Sequence, residues 1–312
     1  MSGRANDFPR FPLIMGATAS GKTGLAVRLA LRFGGEVISA DSMQVYRGLV
    51  IGTAKPTEKE RCGIRHHLMD VADLHEKYDV FRFRSDAEKL IAELRGAGRL
   101  PIVAGGTGLY LRALLYGLDD LPADAELRKK LDEAYDNDAH FPDLQAIMRE
   151  KAPLDHAKFM SHRRKLIRAY EVFLLTGRQM TELQRRWKNA PCRRDAYSFV
   201  LEWDHAALRE RIRVRCGAML ASGWIEEAES LMRKGLHDSP TAWQALGYRQ
   251  IAAYLNGEIK RGELQERITT ATWQFARRQN TWFRTQHPEA IRIRMPDPDA
   301  EAVVEQHLRN AP

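Results

Sequence analysis

Gly16-Ala17-Thr18-Ala19-Ser20-Gly21-Lys22-Thr23 follows the apolar run Phe11–Met15. It opens a stretch in which Leu25, Leu29 and Phe33, with Val27 and Leu31, recur at helical spacing. Apolar strand, glycine-rich turn and amphipathic helix, in that order, are the setting a G-x-x-x-x-G-K-[ST] string needs to act as a phosphate loop. Gly16 and Gly21 let the backbone curl until several N–H groups face inward, and the helix N-terminus behind them adds partial positive charge. Lys22 brings a full charge, and the Thr23 hydroxyl is placed to hold Mg2+. The eight residues are a candidate polyphosphate cradle. Which polyphosphate they hold has to be read elsewhere in the chain.

The 312 residues suffice for one large domain or for a core with an insert, and 44% apolar with 29% charged residues is ordinary for a soluble globular protein. No run of 18 apolar residues occurs, so no membrane span is expected. Met1–Arg10 lacks the apolar core of a secretory signal. Cys62, Cys192 and Cys216 form no C-x-x-C pair, which argues against a disulfide framework or a zinc site. A cytoplasmic protein is the expectation. The net charge of +8 is unevenly spread: Lys158, Arg163, Arg164, Lys165, Arg168, Arg178, Arg185, Arg186, Lys188, Arg193 and Arg194 are opposed within their segment only by Glu171 and Glu182. Such a segment reads either as a surface for a polyanion, where each neutralised phosphate releases counterions, or as a solvated helical face.

The first 120 residues alternate short apolar runs with helical patterns, as a parallel α/β sheet does. Strands are expected at Phe11–Met15, Val37–Ala40 and Leu100–Ala104, and helices at Thr23–Phe33 and Phe81–Gly96. Pro122 marks a break. From there to about Trp187 the sequence is charged and helical in pattern, with helices expected at Asp124–Asp136, Pro142–Lys151 and His162–Leu175. Strand character returns at Ala196–Trp203. Helices follow at Ala206–Ser222, Trp224–Lys234, Trp243–Leu255 and Glu263–Thr285, then a last strand at Ile291–Met295. The expected fold is a phosphate-loop α/β core with a parallel sheet, built from residues 8–121 and 190–312, interrupted by an all-helical insertion over residues 122–189.

Two strand ends carry further chemistry. The second leads into Ser39-Ala40-Asp41-Ser42-Met43-Gln44-Val45-Tyr46, and ligands in parallel sheets sit outside the C-terminal strand ends. Asp41 is therefore expected beside the phosphate loop, either as a proton acceptor or as the cap of a turn. The third leads into Gly105-Gly106-Thr107-Gly108-Leu109-Tyr110, where a nucleotide hydrolase would carry an aspartate for magnesium. These glycines admit close approach of a ligand, or simply a tight strand-to-helix turn. Near the far end, Arg277, Thr281 and Arg284 share one helical side, with Gln279 and Trp282 turned elsewhere. Basic residues with polar and aromatic neighbours suit a nucleic-acid surface.

Together these strings resemble the tRNA dimethylallyltransferases (tRNA isopentenyltransferases). The resemblance rests on the phosphate loop, Ile38–Gly48, Ile51-Gly52-Thr53-Ala54-Lys55-Pro56, His66-His67-Leu68 and Gly105–Tyr110, with Ala245–Gln250 and Arg277–Arg284 near the far end. It implies transfer of a dimethylallyl group from dimethylallyl diphosphate to N6 of adenosine 37 in the anticodon loop of tRNA, with Mg2+ as cofactor; a substrate this large favours a monomer. By the same resemblance the loop holds the donor diphosphate, Lys22 neutralises the leaving group, Thr23 is a metal ligand, Asp41 accepts the N6 proton, and Thr107 joins the catalytic set. Asp41, Ser42, Met43, Gln44, Thr107 and Arg128 become tRNA contacts, as do Arg164, Lys165, Arg168, Tyr248, Arg249, Arg277, Arg278 and Gln279. One departure stands out: where the family shows Gln-Arg, this chain has Arg164-Lys165, and a lysine cannot copy a bidentate arginine contact. The competing readings are a phosphate-loop small-molecule or nucleotide kinase and an adenylate isopentenyltransferase. Neither calls for the long basic segment.

Overall fold

The computed structural model describes residues 9–184, 190–239 and 241–309. Six parallel strands form one sheet in the order β3-β2-β4-β1-β5-β6, with β1 at Phe11–Gly16, β2 at Gly35–Ser39, β3 at His66–His67, β4 at Leu100–Gly105, β5 at Ala196–Trp203 and β6 at Ile291–Met295. Every residue of β1, β2 and β4 is buried, which is why these strands read as continuous apolar runs rather than alternating ones. All the expected strands are present. β3 is an addition, a two-residue strand too short to leave a periodic signal.

The Lys22–Phe33 helix buries Leu25, Val27, Leu29 and Phe33 and ends at Gly34, whose φ of 65° closes the last turn. Leu31, expected on the same stripe, is exposed instead. The expected Trp243–Leu255 helix is broken. Ala242–Gln244 forms a single 3-10 turn and the α-helix starts only at Tyr248. Gly247 between them has φ +90°, and a Cβ there would lie 2.1 Å from the Trp224 ring. The Arg261–Gln286 helix runs 26 residues.

The chain separates into two compact units. One comprises the chain up to Leu115 and from Arg193 onward, the other Tyr116–Cys192. The Arg193 N–H donates to the Leu115 carbonyl at 2.8 Å, so the first unit is left and re-entered at one point. That point lies before the expected break at Pro122 and after residue 189, because the Gly108–Tyr116 helix ends where the insertion begins. Among its described residues the second unit is helical, with helices at Ala125–Tyr135, Phe141–Lys151, Pro153–Phe159, Arg163–Thr176 and Met180–Leu183. They close over Leu131, Leu144, Met148, Leu166, Ile167 and Val172. At roughly 1.5–3 kcal/mol for each such side chain removed from water, these residues give the unit a core of its own. Asp155, fully buried, accepts from the Met180 and Thr181 N–H groups, both at 2.7 Å.

Candidate active site

Parallel register sets three strand ends level: Met15 lies opposite Gly105, Ser39 opposite Ala104 and Gly16 opposite Leu201. The phosphate loop, the Asp41 turn and the Gly105–Thr107 turn thereby border one cleft of about 1000 Å3. Within the loop, Gly21 takes φ +93° and Ala19 takes φ 64°. The Lys22 Nζ donates to the Ala17 carbonyl at 2.7 Å.

The loop is held from outside by residues some 200 positions later. Trp203 Nε1 donates to the Ser20 carbonyl and Arg211 Nε to the Ala19 carbonyl, each at 3.0 Å. Arg215 reaches the Thr18 hydroxyl, and the Thr18 N–H donates to Gln279 Oε1 at 2.9 Å. Burial, opposed by Asp41 and aided by Arg215, brings the Lys22 ammonium pKa down to about 8. Burial likewise holds Arg215 below its ordinary value. Two cations crowded into a desolvated turn make a site that gains most when an anion enters.

The turn-cap reading of Asp41 holds for one of its oxygens. Oδ1 accepts from the Met43 N–H at 2.9 Å and the Gln44 N–H at 3.3 Å, so it caps the turn. No hydrogen bond among the described residues falls on Oδ2. Ser42 is tied to the neighbouring strand end, its N–H donating to Thr107 Oγ1 at 2.9 Å while the Thr107 hydroxyl donates to Ser42 Oγ at 3.2 Å. The glycines beside Thr107 serve close packing of protein against protein: a Cβ would stand 2.2 Å from the Ala40 carbonyl at Gly105 and 2.6 Å from Gln279 Nε2 at Gly106.

Several expected nucleic-acid contacts are engaged in hydrogen bonds within the fold. Gln279 is 8% exposed; besides taking the Thr18 N–H it donates to the Gly106 carbonyl at 2.8 Å, bridging two strand-end loops. Tyr248 is fully buried and its hydroxyl donates to Glu227 at 2.7 Å. The Gln44 amide is spent inside the fold, accepting from the Ser39 hydroxyl and donating to the Thr53 and Ala54 carbonyls. In the helical unit, Arg128 and Arg168 converge on the buried Glu171 carboxylate, which also accepts the Asp124 N–H at 2.9 Å. A buried carboxylate demands such partners.

The basic segment is therefore less free than its composition suggests. Arg163 pairs with Asp136 and Asp138, Arg164 stands 3.8 Å from Asp136, and Arg193 pairs with Asp195 and Glu88. Lys165, Arg178 and Arg194 are exposed. Arg185, Arg186 and Lys188 lie outside the described residues. On the long helix, Arg277, Thr281 and Arg284 form the expected exposed face; Arg278 borders the cleft, and Arg249 is exposed on the preceding helix.

Sequence reading missed Trp203, Arg211 and Arg215. A signal existed in Arg209-Glu210-Arg211-Ile212-Arg213-Val214-Arg215, where Arg211 and Arg215 share a helical side. Arg209 and Arg213, turned away, pair with Glu266 and Glu210.

A family model described as IPP transferase matches residues 44–286. The chain is similar to the tRNA dimethylallyltransferase of Kocuria rhizophila, 41% identical over 281 residues that cover 88% of this chain and 87% of the relative. It is 43% identical over 277 residues to that of Thermomicrobium roseum, covering 87% and 82%. Among solved structures it resembles the full-length tRNA isopentenylpyrophosphate transferase of Bacillus halodurans (35% identity, TM-score 0.68, 96% of this chain and 94% of that one). It also resembles a eukaryotic dimethylallyltransferase acting on tRNA (27% identity, TM-score 0.77, 96% and 77%).

Proposed function

The chain belongs to the IPP transferase family, and on that premise we propose that it moves a dimethylallyl group from dimethylallyl diphosphate to N6 of adenosine 37 in tRNA. It works as a monomer in the cytoplasm. No helix among the described residues is long and apolar enough to cross a membrane. The observation that carries the reading is the division of labour in one cleft: Lys22 and Arg215 crowd the loop with positive charge, and Asp41 faces the same space with one oxygen uncommitted.

The adenine N6 lone pair forms a bond to the first carbon of the allyl group as that carbon's bond to the diphosphate oxygen breaks. The electron pair stays on the departing diphosphate oxygen, and the Lys22 ammonium, the Arg215 guanidinium and the loop N–H groups stabilise its negative charge. The N6 proton passes to Asp41 Oδ2. Thr107 holds the Ser42 backbone, which sets the turn carrying Asp41 at the cleft. Thr23 presents a hard oxygen donor there, and no group of three His, Cys, Asp or Glu side chains gathers among the described residues. That donor set fits a magnesium ion that takes most of its ligands from phosphate and water. When bound, Mg2+ supplies charge neutralisation for the leaving diphosphate.

The acceptor base has to leave its stack to reach Asp41, which costs least in a single-stranded loop. The β4 end, Gly105-Gly106-Thr107, offers no carboxylate to orient water, which supports transfer to a nucleophile over hydrolysis. The test mixes protein, Mg2+, labelled dimethylallyl diphosphate and bulk tRNA. Label is expected in the RNA, with ATP neither required nor consumed. RNA that stays unlabelled while ATP is consumed refutes the reading and restores the kinase.

A further inference from the structure

We propose that Glu227, which lies outside the cleft, is a positioning residue for the acceptor side of the reaction; the inference rests on the transfer reading above. On the Trp224–Arg233 helix, its carboxylate accepts three successive backbone N–H groups. Oε2 takes those of Val50 at 3.1 Å and Ile51 at 2.7 Å, and Oε1 takes that of Gly52 at 3.0 Å. The Tyr248 hydroxyl fills the remaining site on Oε1 at 2.7 Å. Consecutive N–H groups around an anion form a concavity whose shape depends on the anion staying in place.

The loop is seated closely on this anchor. A Cβ on Gly52 would stand 2.3 Å from Trp224 Nε1 and 2.5 Å from the Tyr248 ring. The next two residues pass the constraint on: the Thr53 and Ala54 carbonyls accept the Gln44 amide at 3.1 and 3.3 Å, and the Gln44 N–H goes to Asp41 Oδ1. Gly52, Thr53, Ala54, Gln44 and Asp41 all border the cleft, whereas Glu227 does not. One carboxylate behind the wall thus fixes the height of the turn that carries the base. Among the described residues, no hydrogen bond of this chain of contacts reaches the phosphate loop.

The experiment is a double-mutant cycle on the full chain with Glu227→Gln and Gln44→Ala. It reads kcat and KM for tRNA, donor affinity without tRNA, and thermal melting. Glu227→Gln should lower kcat at least about tenfold and leave donor affinity within about twofold. The double variant should be no more than about twofold worse than the worse single one, because both act through one chain of contacts. Glu227→Asp, which keeps the charge, should recover part of the loss. If Glu227→Gln does not fold, Tyr248→Phe enters the same cycle with an expected two- to fivefold loss (about the effect of one hydrogen bond). A Glu227→Gln kcat within about threefold of wild type, an unchanged kcat for Tyr248→Phe where that variant is used, losses that multiply, or an equal loss of donor affinity overturns the role. A wild-type chain that transfers no label overturns the transfer reading and this role with it.

Discussion

Replacing Gln279 by leucine keeps the volume and deletes two hydrogen bonds that tie the phosphate loop to the Gly106 turn. In the native chain its Oε1 takes the Thr18 N–H at 2.9 Å and its Nε2 donates to the Gly106 carbonyl at 2.8 Å. The side chain is 8% exposed, so little water can replace it. Each buried partner left unpaired costs about 1–3 kcal/mol, or about 2–5 kcal/mol for the pair after partial relaxation. For a body of some 200 residues that lowers Tm by roughly 5–15 °C. Thr18 is part of the cradle, so loss of about 1.4 kcal/mol of its preorganisation weakens donor binding about tenfold. The assay pairs thermal melting with separate titrations of dimethylallyl diphosphate and of tRNA. Melting and donor affinity should both drop while tRNA affinity holds within about twofold. Unchanged melting and donor affinity with weakened tRNA binding would refute the brace and restore Gln279 as an RNA contact.

Three further outcomes are expected. Asp41→Asn keeps an oxygen for the Met43 and Gln44 N–H groups but cannot take the proton; kcat should fall by about 10²–10⁴ with melting little changed, and a loss below tenfold would remove Asp41 as the base. Because burial holds Lys22 at about 8, the unfolded chain binds the extra proton between about 8 and its ordinary 10.5, so this group's penalty on stability is full below 8 and relieved as pH rises through that window. Donor affinity has the opposite course: it is full below about 8, falls up to about tenfold per pH unit above it, and is accompanied by proton uptake measurable by titration calorimetry in buffers of different ionisation enthalpy. Affinity that stays flat to pH 10 would contradict this. Finally, Lys165→Ala should flatten the salt dependence of tRNA binding by about one counterion, whereas Arg168→Ala, which strips the buried Glu171 of a partner, should cost about 1–3 kcal/mol of stability in a denaturant titration. The reverse pattern would mean that the free and committed cations have been confused.

The parallel sheet was legible because a strand buried on both faces leaves an uninterrupted apolar run, and the phosphate loop because glycine spacing records a backbone shape. Asp41 and Thr107 could be placed since register fixes where strand ends lie. The identity of the free cations was not legible. Glu171 lies in the basic segment, yet the sequence does not reveal that it is buried between Arg128 and Arg168; Asp136 and Asp138 belong to a different helix's neighbourhood altogether. Tyr248 and Gln279 stand in polar strings that read as surface, but their polar atoms are consumed by Glu227, Thr18 and Gly106. Arg211 and Arg215 were overlooked because nothing local links a helix beginning at His205 to a loop at residue 16.

The strand order also bears on how the protein is made. β1 lies between β4 and β5, and β5 begins at Ala196. A chain leaving the ribosome therefore has to pass through all of Tyr116–Cys192 before its earliest strand acquires a second neighbour. Until then the wholly apolar Phe11–Gly16 segment presents one unpaired row of N–H and C=O groups, the kind of edge that recruits another unfinished chain. The helical unit, contiguous in sequence, can close over Leu144 and Ile167 on its own while the older strand waits. A translation product that stops short of Ala196 is thus a natural client for a chaperone, and a longer pause inside the insertion prolongs its exposure.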